Sequence, residues 1–466
     1  TLMALSPRLF RALGWSALII AGLAGLFIPL ALIEGDLAAA RGFFFTAVAG
    51  GFAGGVAVAG TAGVRSSAGA SAALRLALYG WLSMPLLAAA PLAAASGSIA
   101  TGVFEAYSAM TTTGAILVEP EALSKSIVLW RCAMAWLGGL ASLVLAATVF
   151  AALDRRGVGL RRTSLLTVER SDLFTNFGRA VRRLGLAYGL VTAAGWLLLT
   201  FSGAGAFNAL CLALSGAATA GLQPFSGGLA DGLTSPGIVI LAGLCLLGAW
   251  NMAVQYEALT RLRTTRGSGE MRAMLLLALA AGAVAAATGG AALFAPAAFE
   301  ALFAVTTSGF SISGAPVAPG VALIILALMG GSTISTAGGV KMPRILLLLR
   351  RAAGELSVLS HPSAAVRTRY AGRTVSDEAL AGVWVYALAY PLALSLGAVL
   401  IGIGGGDFES AWMLSGAALT NAGPVAGELW SGQAPLSLGA SAALMVAGRL
   451  EVLAAAAAVY VMLARD

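Results

Sequence analysis

Four short polar segments, each containing a glycine, interrupt a chain that is otherwise strongly apolar, and their residues suit the binding of a cation. In a membrane, backbone that leaves the helix survives only where it lines a polar cavity. Carbonyl oxygens there can replace the hydration shell of an ion without fixed charge, which lets the ion leave again. Glycine permits the backbone angles that aim successive carbonyls the same way. The segments are Thr111–Ala115, Ala218–Leu222, Val305–Phe310 and Leu419–Pro424.

One such segment alone would be interpreted as a kinked helix, which is common in membrane proteins. Four of them, each after a short apolar stretch and before a long one, favour a shared ring of carbonyl oxygens around an ion path. The short stretch before each glycine would form a half-helix whose negative dipole end points at the cation.

The composition indicates an integral membrane protein. Of the 466 residues, 59% are hydrophobic and 10% are charged, and the mean hydropathy is +0.91. Soluble domains carry about 25% charged residues. The net charge of +8 is better explained by basic cytoplasmic loops than by nucleic-acid binding, so we expect no nucleic-acid partner. Cys132, Cys211 and Cys245 lie in apolar segments without metal or redox spacing and are expected to be buried.

The apolar runs divide into long and short ones. Ten runs reach the length of about 20 residues that a helix needs to cross a bilayer. Four shorter segments, at 102–112, 205–218, 297–306 and 408–419, are expected to re-enter the membrane without crossing it. After the first two spans, the chain therefore repeats span, half-span, glycine break and span four times. The ten spans lie near 11–33, 42–62, 73–95, 124–152, 180–202, 234–260, 271–290, 320–350, 378–402 and 434–463.

Charged residues assign the loops to two sides of the membrane. Arginines cluster within 155–183, 261–272 and 350–373, which marks these loops as cytoplasmic. Both chain ends then face the cytoplasm, and the four glycine breaks open on the outer side. The outer side is acidic and should raise the local cation concentration. Its acidic residues are Glu34, Asp36, Glu105, Glu119, Glu121, Asp231, Glu300, Asp407, Glu409 and Glu428.

Several motifs, found in order over nearly the whole chain, resemble the Trk/Ktr/HKT superfamily of potassium transporters, specifically its bacterial TrkH-type membrane subunit. The two additional N-terminal spans favour this branch over the shorter KtrB type. The motifs are Ser108–Ala115, Leu129–Arg131, Trp136–Gly139, Leu246–Asn251, Gly330–Lys341, His361–Pro362 and Gly448–Glu451.

The resemblance implies an all-α polytopic membrane protein. Four concatenated membrane–pore–membrane repeats would surround one pore in a pseudo-fourfold arrangement, with two extra N-terminal transmembrane helices. The predicted units are an N-terminal pair at 1–70 and repeats at 71–153, 154–266, 267–372 and 373–466. The second repeat would begin with a basic cytoplasmic loop, and the third would carry a broken inner helix.

The resemblance also implies that the four segments form a selectivity filter at the outer end of the pore. Glycine at all four filter positions points to potassium, because a serine at the first one resembles the sodium-favouring plant members. A single glycine in each strand leads us to expect fewer well-formed sites than in a dedicated potassium channel, and looser selectivity. The implied carbonyl ligands are Thr112, Thr113, Gly114, Thr219, Ala220, Gly221, Thr307, Ser308, Gly309, Asn421, Ala422 and Gly423.

A stretch at 330–340 is so rich in glycine and β-branched threonine that a stable helix is disfavoured there. The resemblance implies an intramembrane loop at 332–340 that blocks the pore below the filter and moves on opening; a static kink is the alternative. The loop departs from the family's glycine-richer version at Ile334 and Ala337, which bears on its flexibility. The implied gate residues are Ser332, Thr333, Ser335, Thr336, Gly338, Gly339 and Arg449.

Ionisable residues within apolar runs are functional by default, because placing them there costs several kcal/mol. By resemblance, Arg449 faces the pore below the filter and forms an electrostatic barrier to cations. The alternative is a structural Arg449 paired with an acidic side chain, of which Glu451 is the nearest in sequence. For Glu451 and Arg131 a structural role is at least as well supported. Lys341 lies beside another apolar run.

We therefore predict potassium uptake across the cytoplasmic membrane through a channel-like pore, with potassium as substrate and no cofactor bound by this chain. His361 is the only histidine and no catalytic set can be built, so we expect no enzyme. One alternative is a sodium-coupled or weakly selective monovalent cation transporter. Another is a non-conducting membrane sensor or scaffold.

The resemblance also implies partners and a location. The expected partners are a second copy of this chain in a homodimer, a cytosolic nucleotide-binding regulatory ring of the TrkA type, and membrane lipid. The ring would grip the basic inner loops. The expected location is the bacterial inner (plasma) membrane, which the chain crosses several times with both termini in the cytoplasm.

Overall fold

The computed structural model describes residues 7–64, 70–147, 173–261, 269–361, 368–370 and 373–463. The protein is an all-helical membrane protein: six of the described helices are long and apolar enough to cross a bilayer, and two bent helix pairs also qualify. A helix suits the bilayer because it bonds its backbone polar groups within one segment. A short antiparallel hairpin, β1 (Arg369–Tyr370) and β2 (Arg373–Thr374), is the exception among the described residues.

The first two helices, α1 (Pro7–Ile33) and α2 (Leu37–Gly60), pack against the rest of the molecule through an aromatic cluster. The ring of the fully buried Trp130 lies 5.3 Å from that of Phe27 and 5.2 Å from that of Phe43. Its indole nitrogen donates a hydrogen bond to a backbone carbonyl, so burial leaves no polar atom of this side chain unpaired.

The part of the chain predicted to be the first repeat contains α3 (Ala70–Ala88), α4 (Ala90–Ser96), the short α5 (Ile99–Met110) and α6 (Lys125–Leu145), and the other predicted repeats are named below in the same way. Helices α3 and α4 form one span that bends by 42° between them. The side chain of Ser98 caps the start of α5. These helices agree in position and length with the span predicted at 73–95 and the short segment predicted at 102–112.

The second repeat contains α7 (Leu173–Phe201), α8 (Ala206–Ala217), α9 (Leu229–Gly232), α10 (Ser235–Ala249) and α11 (Met252–Arg261). The span predicted over 234–260 is broken, because α10 and α11 meet at 103°. The side chain of Asn251 accepts hydrogen bonds from backbone N–H groups at the start of α11, as helix-capping side chains do, and so favours a new helix there.

The third repeat contains α12 (Gly269–Gly289), α13 (Phe294–Val305), α14 (Gly320–Met329) and α15 (Met342–Ser360). The predicted break is present, since residues 330–341 between α14 and α15 form no helix.

The fourth repeat contains α16 (Asp377–Ile403), α17 (Phe408–Thr420), α18 (Pro435–Arg449) and α19 (Val452–Leu463). Our prediction of one uninterrupted run over 434–463 is wrong, because the chain turns at Glu451, which has a left-handed φ of 62°.

Four short helices give the repeats their common form. Helices α5, α8 and α13 have 12 residues each and α17 has 13. At 1.5 Å per residue, each is about 18–20 Å long, well short of the roughly 30 Å hydrocarbon core. The last residue of each helix is buried, so each helix ends inside the molecule. The four glycine segments follow directly from these ends. We call α5, α8, α13 and α17 the pore helices.

Candidate functional site

The same backbone turn follows all four pore helices. Thr112, Thr219, Thr307 and Asn421 adopt left-handed φ values of 54°, 52°, 60° and 56°. This conformation is rare for β-branched residues. Strained backbone of this kind persists where the surrounding structure enforces it, and it clusters at functional sites. Its recurrence at one position of each repeat marks this turn as the candidate site.

The four segments form a closed ring. A Cβ added to Gly114 would overlap the carbonyl oxygen of Ala220, and one added to Gly221 would overlap that of Ser308. A Cβ at Gly309 would lie 3.3 Å from Cδ of Pro424 in the fourth segment. The backbone N–H of Gly423 then donates a 2.7 Å hydrogen bond to the carbonyl of Thr113, in the first segment. Each segment therefore contacts the next, and the last contacts the first.

The ring brings together all twelve residues that the sequence singled out as ligands, and all twelve are buried. The three glycines Gly114, Gly221 and Gly309 have φ values of 77°, 71° and 66°, which a side chain would strain. Glycine therefore serves two purposes at these positions: it permits the backbone angle and it lets neighbouring segments approach.

The fourth segment departs from the symmetry of the other three. Gly423 has no positive φ and instead begins a 3₁₀ helix, Gly423–Trp430. Its carbonyl oxygen accepts a 2.8 Å hydrogen bond from the indole of Trp430. The amide of Asn421 donates to the hydroxyl of Thr113 at 3.0 Å, which ties the fourth segment to the first a second time. Sequence reasoning missed Trp430; asparagine in place of threonine was the available signal that this segment differs.

The interrupted stretch between α14 and α15 lies directly beside the ring. We call residues 330–341 the gate loop. The backbone N–H of Gly338 donates to the hydroxyl of Thr307 at 2.9 Å. The hydroxyl of Thr336 lies 3.2 Å from that of Thr219 and 3.0 Å from the carbonyl of Ala217, at the end of α8.

The gate loop is packed rather than loose. The N–H of Ser332 bonds to the carbonyl of Ala249 at 2.8 Å, and the carbonyl of Ile334 accepts from the N–H of Met252 at 2.8 Å. Ile334 is buried within an apolar cluster. Ser332, Ser335, Thr336, Gly338 and Gly339 are all buried, whereas Thr333 is half-buried.

Arg449 joins the gate loop to the first glycine segment. Its Nε donates to the carbonyl of Thr111 at 2.7 Å, its Nη1 donates to the carbonyl of Thr336, and its Nη2 contacts the hydroxyl of Thr112. The side chain is only 6% exposed. Its neighbours are oxygen atoms that would otherwise be available to a cation.

The acidic alternative partner of Arg449 is engaged elsewhere. The Glu451 carboxylate pairs with the guanidinium of Arg344 at 2.6 Å. The Arg344 guanidinium also lies 4.1 Å from the centroid of the Tyr386 ring. Lys341 donates to the carbonyl of Ala337 in the gate loop. A small cavity is lined by Lys341, Arg449 and Glu451, together with gate-loop residues.

A buried carboxylate links the gate loop to the β hairpin. The hydroxyl of Ser332 donates to Glu270, in the first turn of α12. The phenol of Tyr370, in β1, donates to the same carboxylate at 2.9 Å. Neither contact could be deduced from the sequence, because the three residues are far apart along the chain.

On the side predicted to face outward, carboxylates connect the loops that follow the first two segments. The Ser226 hydroxyl lies 2.6 Å from the Glu119 carboxylate, and both the N–H and the hydroxyl of Ser226 donate to Glu121. Slight burial opposes ionisation, but the Ser226 hydrogen bonds outweigh it and lower the pKa of the Glu121 carboxyl below its usual value. Glu121 therefore keeps its negative charge even in mildly acidic surroundings.

Some predicted features fall outside the described part of the chain. The basic residues between 155 and 172, and Pro362 of the His361–Pro362 motif, are among them. The three cysteines are buried, as expected. Within the described ranges, no three or more His, Cys, Asp or Glu residues group as a metal site would require.

Comparisons with known proteins agree with this architecture. A family described as cation transport protein, TrkH, matches residues 275–466. The Trk system potassium uptake protein TrkH of Halomonas elongata is 29% identical over 394 residues, covering 81% of each chain. Its Escherichia coli K12 counterpart is 28% identical over 374 residues, covering 76% of this chain and 77% of that protein. The crystal structure of the potassium transporter TrkH from Vibrio parahaemolyticus matches 98% of both chains, with a TM-score of 0.84 and 22% identity, and so shows the same fold.

Proposed function

We propose that this chain, which belongs to the TrkH family of cation transport proteins, carries potassium into the cell across the cytoplasmic membrane through a channel-like pore. The single observation that carries the proposal is the closed ring of four glycine segments at the ends of four pore helices. Relatives whose names describe potassium uptake support the choice of ion.

In this proposal, backbone carbonyls of the twelve ring residues replace the water that a potassium ion loses. The pore helices aim the negative ends of their dipoles toward the ion, which favours a cation without trapping it. We expect modest selectivity, because the carbonyl of Gly423 is engaged by Trp430 and that of Thr113 by the N–H of Gly423. The ion then has fewer free carbonyls as ligands than it would have in a ring of four equivalent strands.

The gate loop and Arg449 form the proposed gate. Thr336, Gly338 and Arg449 hydrogen-bond to the left-handed threonines at the base of the filter. While these contacts persist, the side chains of Thr112, Thr219 and Thr307 are occupied and a positive charge lies on the ion's path. Opening therefore requires the loop to leave the ring.

We further propose the assembly and orientation implied by the family. The chain would form a homodimer in the bacterial inner membrane, with both termini in the cytoplasm. A cytosolic nucleotide-binding ring of the TrkA type would grip the basic inner loops, and the names of the relatives, which place them in a "Trk system", support a multi-component assembly. Glu270 gives such a partner a route to the gate, because it bonds both Tyr370 in the hairpin and Ser332 in the loop.

The proposed domain boundaries follow the repeats: an N-terminal pair at 1–70 and repeats at 71–153, 154–266, 267–372 and 373–466. Each proposed repeat contains one pore helix and one ring segment. The last three boundaries fall at residues that lie outside the described part of the chain.

Rubidium uptake into liposomes that contain the purified full-length protein tests the proposal. We expect uptake that external potassium suppresses more strongly than sodium does. Equal suppression by both ions would favour the weakly selective alternative, and dependence on a sodium gradient would favour the coupled one. A complete lack of flux, with or without a nucleotide-loaded cytosolic partner, would favour a sensor or scaffold.

A further inference from the structure

A buried ion pair lies behind the first ring segment. The carboxylate of Glu105, on α5, accepts hydrogen bonds from Nε and Nη2 of Arg131, on α6, at 3.0 Å and 2.6 Å. Both residues are 3% exposed. Arginine and carboxylate make the strongest charge-assisted hydrogen bonds when they meet in this forked geometry.

The pair also holds the chain that leaves the ring. Oε1 of Glu105 accepts from the backbone N–H groups of Leu117 and Val118 at 3.0 Å and 3.1 Å. Nη2 of Arg131 donates to the carbonyl of Val118 at 3.0 Å. The pore helix, the strand after Gly114 and helix α6 are therefore fixed to one another at a single point.

The third repeat has a related brace without the arginine. Glu300 stands at the same position before Gly309 as Glu105 does before Gly114, and it is also buried. Its Oε2 accepts from the N–H of Val317 at 2.8 Å. The ring order places the first and third segments opposite each other, so a carboxylate behind each of them braces one diagonal of the ring.

The second repeat shows that folding does not require the pair. Leu212 occupies the position of Glu105 relative to the ring glycine, and it packs in one apolar cluster with Leu241. Leu241 corresponds to Arg131. Gly138, which faces the last carbonyl of α5, follows Arg131 along the chain, and Gly248, which faces the last carbonyl of α8, follows Leu241 at the same distance. Two leucines therefore occupy in the second repeat the positions that the ion pair occupies in the first.

We propose that Glu105 and Arg131 are positioning residues that set the ion selectivity of the pore by fixing the first ring segment, and that they are dispensable for folding. Replacing a buried ion pair by apolar residues of similar volume is often neutral for stability, whereas removing one partner is strongly destabilising. The first segment matters most, because Thr113 binds the fourth segment twice and Thr112 meets Arg449. This inference rests on the proposed function.

The test compares variants of the full-length protein in liposomes by their potassium-to-sodium permeability ratio and their melting temperature. The double variant Glu105→Leu/Arg131→Leu copies the side chains of the second repeat. We expect an unchanged melting temperature and a permeability ratio lowered by about threefold or more, because the strand at 115–118 loses its carboxylate brace. Glu105→Gln/Arg131→Leu restores an oxygen acceptor for Leu117 and Val118, and we expect it to recover much of the ratio.

The controls separate the outcomes. Arg351→Leu/Glu355→Leu removes an exposed ion pair on α15 and should leave the ratio unchanged. A double-leucine variant that folds and keeps the full ratio would overturn the inference. A double-leucine variant that fails to fold would also overturn it, because the pair would then be structural. Absence of flux from the unmodified protein would instead overturn the proposed function, and the inference with it.

Discussion

At the scale of single residues, the ring depends on glycine for two separate reasons. Gly114 has a φ of 77°, and it also lies so close to Ala220 that a Cβ would overlap the carbonyl oxygen. Gly432 has nearly the same φ, 70°, but it is exposed, and no atom lies within 4 Å of the place that a Cβ would take. A substitution at Gly432 would introduce only backbone strain, whereas one at Gly114 would introduce backbone strain and a clash within the ring.

This contrast yields a matched pair of substitutions. We expect Gly114→Ser to lower the potassium-to-sodium permeability ratio, because the new side chain would push the carbonyl of Ala220 out of its place in the ring. Gly432→Ser carries similar backbone strain, worth about 1–3 kcal/mol, and should lower the melting temperature without altering the ratio. Liposome flux in mixed potassium and sodium would check both. A normal ratio in Gly114→Ser would contradict the assignment of the filter.

At the scale of elements, the gate loop is held in place by several hydrogen bonds and buried side chains. Glycine content led us to expect mobility, and Ile334 and Ala337 stood out as departures from the family pattern. The structure places Ile334 in an apolar cluster and Ala337 in full burial, so both residues anchor the loop. If the loop gates the pore as proposed, opening must break identifiable hydrogen bonds, chiefly those of Thr336 and Gly338.

Thr336→Val tests whether these bonds hold the gate shut. Valine has nearly the shape of threonine but cannot donate to the carbonyls of Ala217 and Gly248, each 3.0 Å from the Thr336 hydroxyl. Losing a hydrogen bond with a net contribution of about 1 kcal/mol shifts the equilibrium between the closed and open gate about fivefold. Resting rubidium flux should therefore rise about fivefold. Thr288→Val, whose hydroxyl bonds only within α12, is the control. Equal flux in both variants would remove Thr336 from the gate.

At the scale of the whole molecule, the orientation in the membrane is predicted from the charge of the loops. In the predicted topology, the ring opens toward the acidic loops that contain Glu119 and Glu121, and Tyr370 and the arginine-rich segments lie on the opposite side. If positive charge marks the cytoplasm, potassium meets the filter first and the gate second.

Cysteine labelling would establish this orientation. The three natural cysteines are buried, so they should react slowly with a membrane-impermeant thiol reagent. We expect Gly432→Cys to be labelled in intact cells, and His361→Cys to be labelled only after the membrane is permeabilised, since both sites are exposed. The opposite pattern would invert the topology and reverse the proposed direction of uptake.

Much of this architecture was readable in the sequence. Apolar length predicted most of the spans, and the four glycine segments were located correctly, because span length and glycine content are local properties of the chain. Two breaks escaped detection, at Asn251 and at Glu451. Each lies within an apolar run, and in each the break depends on what the polar side chain binds in the folded protein.

The tertiary structure decided which residues meet. Arg449 with Thr112, Glu105 with Arg131, and Glu270 with Tyr370 join parts of the chain that no spacing rule connects. The asymmetry of the ring was likewise invisible, because it arises from Trp430 reaching back to Gly423. A sequence by itself determines where a membrane chain must leave the helix; only packing determines which oxygen atoms and charges then face one another.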